Sequence, residues 1–471
     1  MDEVTGVESG GTRLLERLRD VWREVAASVG GTLRLGPEPT DGDIDVLRQR
    51  MNECLQGRGG EVSARARAAR LGRSYLSLDA EGRRRFLFLL AEEFACDPVT
   101  LDAAMAAVKA AREPKARFAA ERALRTALES PRQRLLTQFS TLPEGVKFLV
   151  DMRAEILTLA RGDASMSALD DELRELLAAW FDIGFLELAR ITWRTPALVL
   201  EKIAAYEAVH AIKSWQDLKN RLDSDRRFFA FFHPRMPDEP LIFVEVALVR
   251  GLADDIAVLL DETAPVGDPT QADTAIFYSI TSAQRGLAGI SLGNFLIKRV
   301  VEDLSREFPN LKSFATLSPL PGFRAWLDLR IAEDKGDLLT AAEHRALLAA
   351  PSRGGHKGGL GTLLRLPWWE DEPLAAALRP PLMRLAAVYL TQTVAPGGRA
   401  RDAVAHFHLT NGARVERLDW LADRSERGLA QSAGIMVNYL YRQADIETNH
   451  EAYTGQGRIV SSAAVRALAK G

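Results

Sequence analysis

AIFYSITSAQRGLAGISLGNFLIKRVVEDLSREFP, residues Ala275 to Pro309, is the stretch on which the fold turns. Ala275–Ile280 is β-branched and aromatic and reads as a short strand. A loop follows, from Gln284 to Gly293, with glycines at 286, 289 and 293. From Gly293 the period changes to that of a helix, with Leu296, Val300 and Leu304 on one face and Ile297 and Val301 beside them. Lys298, Arg299, Glu302, Asp303 and Arg306 fill the other faces, and Pro309 stops the helix after Glu307. Strand, glycine loop and helix N-terminus together form the α/β geometry that holds a phosphate. The first-turn N–H groups have no intrahelical partner. Glycines let several of them point at one anion.

Working outward, the segments after about residue 180 share this α/β character. Gly184–Trp193, Phe228–Phe232, Leu241–Val249, Lys312–Leu317 and Gly434–Tyr441 read as strands. His233–Pro240 forms a proline-bounded turn between two of them. Ala197–Ala211 and Phe323–Ile331 read as helices. The first 180 residues instead read as helix after helix: Thr12–Ser28, Asp79–Ala95, Leu101–Ala111, Lys115–Leu128 and Gly145–Ala160. Pro98, Pro114, Pro131 and Pro143 stand at or near helix starts, where proline is tolerated. Arg353–Gly361, RGGHKGGLG, is a mobile glycine loop, either a lid or a plain connection.

Bulk properties restrict the ligand. The formal charge of −3 over 471 residues gives no field that would attract nucleic acid or an anionic membrane. An anionic ligand must be held by local geometry. Arg65, Arg67, Arg70, Arg73 and Arg83–Arg85 form a basic stretch, but no aromatics interleave for base stacking, so a solvated face is expected. The two cysteines, Cys54 and Cys96, fit neither a disulfide framework nor a metal-type spacing. The acidic start lacks secretory or mitochondrial presequence character, no apolar run spans a membrane, and the expectation is a cytoplasmic protein.

The loop chemistry narrows further. The lysine and Ser/Thr of a nucleotide-hydrolysing phosphate loop are absent, and the 286–289–293 glycine spacing is not a dinucleotide fingerprint. Gln284-x-Gly286-x-x-Gly289-Ile290 resembles the coenzyme A pyrophosphate loop of the GNAT N-acetyltransferase superfamily. A tight strand–helix connection with no ligand is the alternative.

Two further features carry chemistry. Phe314–Phe323, FATLSPLPGF, ends a strand in Ser318, held between prolines and followed by a helix. Strand ends are where α/β proteins place ligand-facing groups, although an isolated serine here is as readily a helix cap. His406-Phe407-His408-Leu409-Thr410-Asn411-Gly412 reads as a short helix capped by Asp402 and stopped at Asn411-Gly412. Its two histidines point to different sides, so at most one serves the site. His210 at a helix end, His233 in its turn and His450 in a polar loop read as structural.

Taken together, FFHPRMPDEPLIFVEVAL, the Phe277–Pro309 stretch, FATLSPLPGFRAWL and FHLTNGARVERLDWLADRSERGLAQSAGIMVNYLY resemble the malonyl-CoA decarboxylase family over nearly the whole chain. The resemblance implies a multidomain α+β fold: an all-α helical oligomerisation domain over 1–180, then a GNAT-like α/β catalytic domain over 181–471. It implies Ser318 and His408 as catalytic residues. It implies a malonyl-CoA site lined by Ala288, Gly289, Ile290, Ser291, Leu292, Gly293 and Asn294, with Ser279, Gln284 and Gly286 as secondary candidates. Some members carry glutamate where this chain has Ser291, so no catalytic acid is assigned there. It implies a homo-oligomer, with a tetramer the form to test. No cofactor is expected, because coenzyme A is part of the substrate, and no metal. The expected chemistry is decarboxylation through an enolate protonated by a histidine of near-neutral pKa. Backbone N–H groups near Ser279–Thr281 are secondary candidates for the oxyanion. A CoA-dependent acyltransferase of the GNAT type and a non-catalytic acyl-CoA sensor are the competing readings.

Overall fold

Proline and short polar side chains set the helix starts in the N-terminal half. Thr40 and Asp43 form a reciprocal capping box at Asp41–Leu55, with Thr40 N donating to Asp43 at 2.9 Å. Asp79, Asp97, Ser130 and Asp163 cap Ala80–Glu93, Pro98–Ala110, Pro131–Phe139 and Ala164–Trp180. Pro98, Pro114 and Pro131 occupy first-turn positions, where a missing N–H costs nothing. The structure is a computed structural model that describes residues 18, 20–26, 36–56, 60–290, 292, 296–333, 338–350, 358–395 and 398–470. Most of the expected Thr12–Ser28 helix lies outside these residues; 20–26 is helical. Of the expected 353–361 glycine loop, 353–357 lie outside, and Leu360–Leu363 is a helical turn.

These helices pack around Trp22, Tyr75, Phe86, Phe139 and Phe148, all buried. Trp22 and Phe148 meet edge to face at 4.8 Å, and the indole N–H donates to Pro143 O at 2.8 Å. Such aromatic pairs add about 0.5–1.5 kcal/mol beyond the area they bury. Part of the basic stretch is neutralised locally. Arg83, Arg84 and Arg85 pair with Glu155, Glu81 and Asp41, and Arg70 pairs with Glu53. One hairpin stands apart: Pro98–Ala110 and Pro114–Leu128 bury no residue, and Val99 and Phe118 are 77% and 72% exposed.

Among the described residues, eight strands form one mixed sheet in the C-terminal half. They are β1 (Glu187–Ile191), β2 (Arg226–Phe232), β3 (Ile242–Val249), β4 (Thr274–Ser282), β5 (Ser313–Thr316), β6 (Ser318–Pro319), β7 (Arg414–Asp419) and β8 (Met436–Tyr441). The order is β1-β2-β3-β4-β5-β8-β6, with β7 also on β8. β1 to β4 run antiparallel. β4 and β5 are parallel, and the amphipathic helix Leu296–Glu307 lies between them in sequence. Parallel neighbours need such a crossover.

Where β4 and β5 part is what positions the site. Their pairing ends at Phe277–Thr316. Beyond it β4 continues to Ser282 against β3, while the β5 side continues to Ser318, paired with Val437 of β8. A bulge sharpens the divergence: Glu245 faces Ser279 and Val246 faces Phe277, leaving Tyr278 as the extra residue. The sheet therefore opens at the C-terminal ends of β4 and β5.

The helical half supports this opening directly. Arg153, buried in helix Gly145–Leu159, donates to Gly286 O at 2.7 Å and Ala288 O at 2.9 Å, and pairs with Asp170 at 2.8 Å. Gly286 sits so close to that helix that a side-chain carbon would overlap Val150 O. Helix Glu372–Gln392, with Pro380 and Pro381 inside it, has no counterpart among the expected elements. Among the described residues no helix is long and apolar enough to cross a membrane.

Candidate active site

β5 delivers Ser318. The strand ends at Thr316, and Leu317 N still bonds Phe277 O at 3.1 Å. Ser318 then pairs with β8 as the first residue of β6 rather than serving as a plain helix cap. The helix Ala403–Thr410 delivers His408, with Asp402 capping its start and Gly412, at φ +80°, past its end. The geometry of its two histidines is as the spacing requires. His408 turns to Ser318, and His406 turns away, with Nδ1 2.7 Å from Tyr453 OH.

Ser318 Oγ lies 3.0 Å from His408 Nε2, and both residues are buried. No intervening water is required. Ser318 Oγ also donates to Thr316 Oγ1 at 2.9 Å. His408 Nδ1 lies 2.8 Å from Tyr441 OH. The assignment that satisfies all of these gives His408 its proton on Nε2, donating to Ser318, while Tyr441 donates to Nδ1. Tyr439 stacks on the imidazole at 4.5 Å between ring centroids. Thr316 is itself held, because Tyr439 N donates to its Oγ1 at 3.1 Å. Asn438 donates to Thr316 O at 2.8 Å and fixes the same strand end.

The electrostatics correct one expectation. Burial among aromatic rings pushes His408 from 6.5 down to about 3, far from near-neutral. The resting imidazole is neutral because the site offers no carboxylate to offset its desolvation. Burial also raises the Tyr441 and Tyr439 phenols well above their usual range. The site is a chain of neutral donors and acceptors in a low-dielectric enclosure, suited to moving one proton.

The secondary candidates have partners of their own. Ser279 Oγ donates to Glu207 at 2.9 Å, and Thr281 joins the same carboxylate at 3.1 Å. Glu207 neighbours fully buried Glu245, which burial pushes up to about 8 against the opposing Arg221. Gln284 donates to Pro240 O at 3.1 Å and is buried, and Gly286 is pressed against the helical half. Ser279 and Gln284 are thus hydrogen-bonded within the fold, and Gly286 is closely packed. Of the expected substrate-lining stretch, Ala288 and Gly289 are exposed, Gly289 has φ +76°, and Leu292 is buried. Ser291, Gly293 and Asn294 lie outside the described residues.

Of the other histidines read as structural, His210 and His450 are placed differently from the expectation. His233 Nε2 donates to Trp180 O at 3.1 Å and Nδ1 accepts from Arg235 N. His210 lies in a loop beyond the helix end at Tyr206, and burial lowers its pKa. His450 is in the helix Ile446–Gln456 rather than a loop, 2.6 Å from Thr410 O. Sequence reasoning missed Thr316, Tyr439 and Tyr441. The signal for the tyrosines was their i, i+2 spacing in NYLY, which puts both on one strand face.

Fold and site together define a two-part α+β enzyme with a buried serine–histidine pair at the opening of a mixed sheet. The model of the malonyl-CoA decarboxylase C-terminal domain matches residues 184–471, and that of the N-terminal domain matches 94–181. This chain belongs to the malonyl-CoA decarboxylase family. It is 38% identical over 416 residues to the mitochondrial malonyl-CoA decarboxylase of Anser anser anser, covering 85% of this chain and 82% of that protein. It is 38% identical over 407 residues to the Mus musculus mitochondrial enzyme, covering 83% and 82%. Among solved structures, malonyl-CoA decarboxylase from Rhodopseudomonas palustris superposes with a TM-score of 0.82 at 44% identity, over 91% of this chain and all (100%) of that one. The Agrobacterium vitis protein gives 0.81 at 43%, over 90% and 99%.

Proposed function

We propose that this chain converts malonyl-CoA to acetyl-CoA and CO2, with Ser318 and His408 at the reacting carbons. The observation that carries the reading is the 3.0 Å Ser318–His408 contact at the parted strand ends. The α-carbon to carboxylate bond breaks, and its electron pair passes into the thioester as an enolate. The α-carbon then takes one proton. The thioester is its own electron sink, so the chemistry requires no cofactor.

The depressed His408 pKa gives the proton transfer an order. A malonyl carboxylate docked beside the imidazole favours its charged form, so substrate binding raises the proton affinity of His408. His408 then takes a proton from water; when CO2 leaves, the enolate retains the negative charge and its α-carbon takes a proton from Ser318 Oγ, which is replaced from His408 Nε2, leaving the imidazole neutral again. General acid catalysis of this kind contributes about 10²–10⁴-fold.

The coenzyme A moiety lies, in this reading, along Ala288–Asn294. The exposed Ala288–Gly289 turn, Gly289 at φ +76° and the helix that follows support it. The catalytic part, 181–471, is read as GNAT-like. The parallel β4–β5 pair that separates after Phe277–Thr316, with a bulge in β4, supports that reading. The helical part, 1–180, is read as an oligomerisation domain. The Pro98–Leu128 hairpin supports it, since an αα-hairpin burying nothing has no packing of its own to stabilise it. Two free cysteines support a reducing compartment, the cytoplasm in this reading.

One coupled assay tests the function. Malonyl-CoA alone should yield acetyl-CoA and CO2 in equal amounts, with no acceptor. A requirement for an amine or hydroxyl acceptor would move the chain to the acyltransferases. Binding without turnover would make it an acyl-CoA sensor.

A further inference from the structure

Asp402 uses its two oxygens for different partners. Oδ1 caps the His408 helix, accepting from Val404 N and Ala405 N at 3.0 Å each. Oδ2 leaves the helix and accepts from Tyr389 OH at 3.3 Å and Gly322 N at 3.4 Å. Gly322 is four residues beyond Ser318, at the entry to helix Phe323–Glu333. One carboxylate therefore joins the helix that carries His408 to the loop that carries Ser318.

Both ends of this tie are firmly seated. Tyr389 belongs to helix Glu372–Gln392 and packs on Phe323 and Trp326, with ring centroids 5.7 and 5.3 Å away. A side chain at Gly322 would overlap the Tyr389 hydroxyl, so the loop meets that hydroxyl through bare backbone. Asp402 is only 2% exposed, and burial raises its pKa. Among the described residues, no cation forms an ion pair with it. A helix cap alone does not account for this choice. Asparagine caps as well as aspartate and carries no charge to desolvate. The second oxygen needs another reason, and the serine loop supplies it.

We propose that Asp402 is a positioning residue that sets the Ser318–His408 spacing by tying the serine loop, through Gly322 and Tyr389, to the start of the histidine helix. It touches no reacting atom. The proposal rests on the decarboxylase reading for its kinetic consequence, since a misplacement of about 1 Å can cost about 10²-fold in rate.

Asp402→Asn in the full chain is the test. The amide keeps an oxygen for the cap but sets an NH2 group against the Gly322 N–H. kcat should fall by about 10–100-fold while KM for malonyl-CoA stays within about twofold. In a Ser318→Ala background the same change should cost no more than about twofold, because the spacing it sets no longer matters. Equal losses in both backgrounds, a loss carried by KM, or an unchanged kcat would overturn the proposal. A second readout needs no turnover. In protein with 15N-labelled histidine, the His408 Nε2 resonance, assigned against His408→Asn, should move in Asp402→Asn. An unmoved resonance also overturns it. Turnover by the wild-type protein reports separately on the decarboxylase reading.

Discussion

The two strand ends that flank the opening are built from opposite materials. The β4 side is tied down by charge and backbone: Arg153 holds Gly286 O and Ala288 O, Asp170 holds Arg153, and Gly286 touches Val150. The β5 side is neutral and aromatic: Thr316, Ser318, His408 and Tyr441 form one hydrogen-bonded chain under Tyr439. The difference separates two tasks. In the proposed reading the β4-side loop holds the coenzyme A moiety, and the helical half supplies an unyielding platform from outside the sheet. A site that moves a proton needs weakly solvated groups whose charge responds to the substrate.

The largest break in this comparison should come from the neutral side. His408→Ala should lower kcat about 10³-fold and Ser318→Ala about 10²-fold, while free coenzyme A inhibits as it does in the wild type. Wild-type turnover in His408→Ala would remove the role assigned to it. On the platform side, Gly286→Ala should cost about 2–3 kcal/mol, read from urea unfolding, because the new methyl meets Val150 O. A change below about 0.5 kcal/mol would mean that the two halves are not rigidly docked there.

The third test uses pH. His408 is held neutral in the folded chain, its pKa pushed from 6.5 to about 3. The unfolded chain binds more protons in that window, so this contribution to stability is lost as pH falls from about 6.5 towards 3. Between pH 7 and 5 the wild type should lose about 2 kcal/mol relative to His408→Asn. Parallel urea midpoints for the two proteins would contradict the neutral imidazole. The smallest effect is expected from Tyr441→Phe. Loss of one hydrogen bond to Nδ1 should cost about tenfold in kcat with KM unchanged. A shift confined to KM would place Tyr441 at the substrate instead.

Much of this was legible in the sequence because local rules and tertiary packing agree. The strand–loop–helix stretch emerged with β4 at Thr274–Ser282 and its helix at Leu296–Glu307. Asp402, Asn411 and Gly412 bounded the His408 helix as their chemistry dictates. Where tertiary context rules, the reading failed. β7 is RVERLD, too charged to look like a strand, yet β8 pairs it along its length. Helix Glu372–Gln392 runs through two prolines, which local propensity reads as a break. The pKa of His408 depends on rings brought from β8, 31 and 33 residues away in sequence, and no periodicity reports that. Nor could the sequence show what holds Gln284 and Gly286 in place. Their contacts with Pro240 and Val150 exist only once distant segments have docked.

The place of β8 in the chain also dictates when the site can exist. Met436–Tyr441 pairs with β5, β6 and β7 and contributes both tyrosines around His408. A ribosome adding about 5–20 residues per second needs roughly 20–90 s to reach this strand. Until then the helical half can fold, but Ser318 lacks its strand partner and His408 lacks both tyrosines. The nascent chain is thus silent until β8 emerges, with the β5 edge unpaired during that wait.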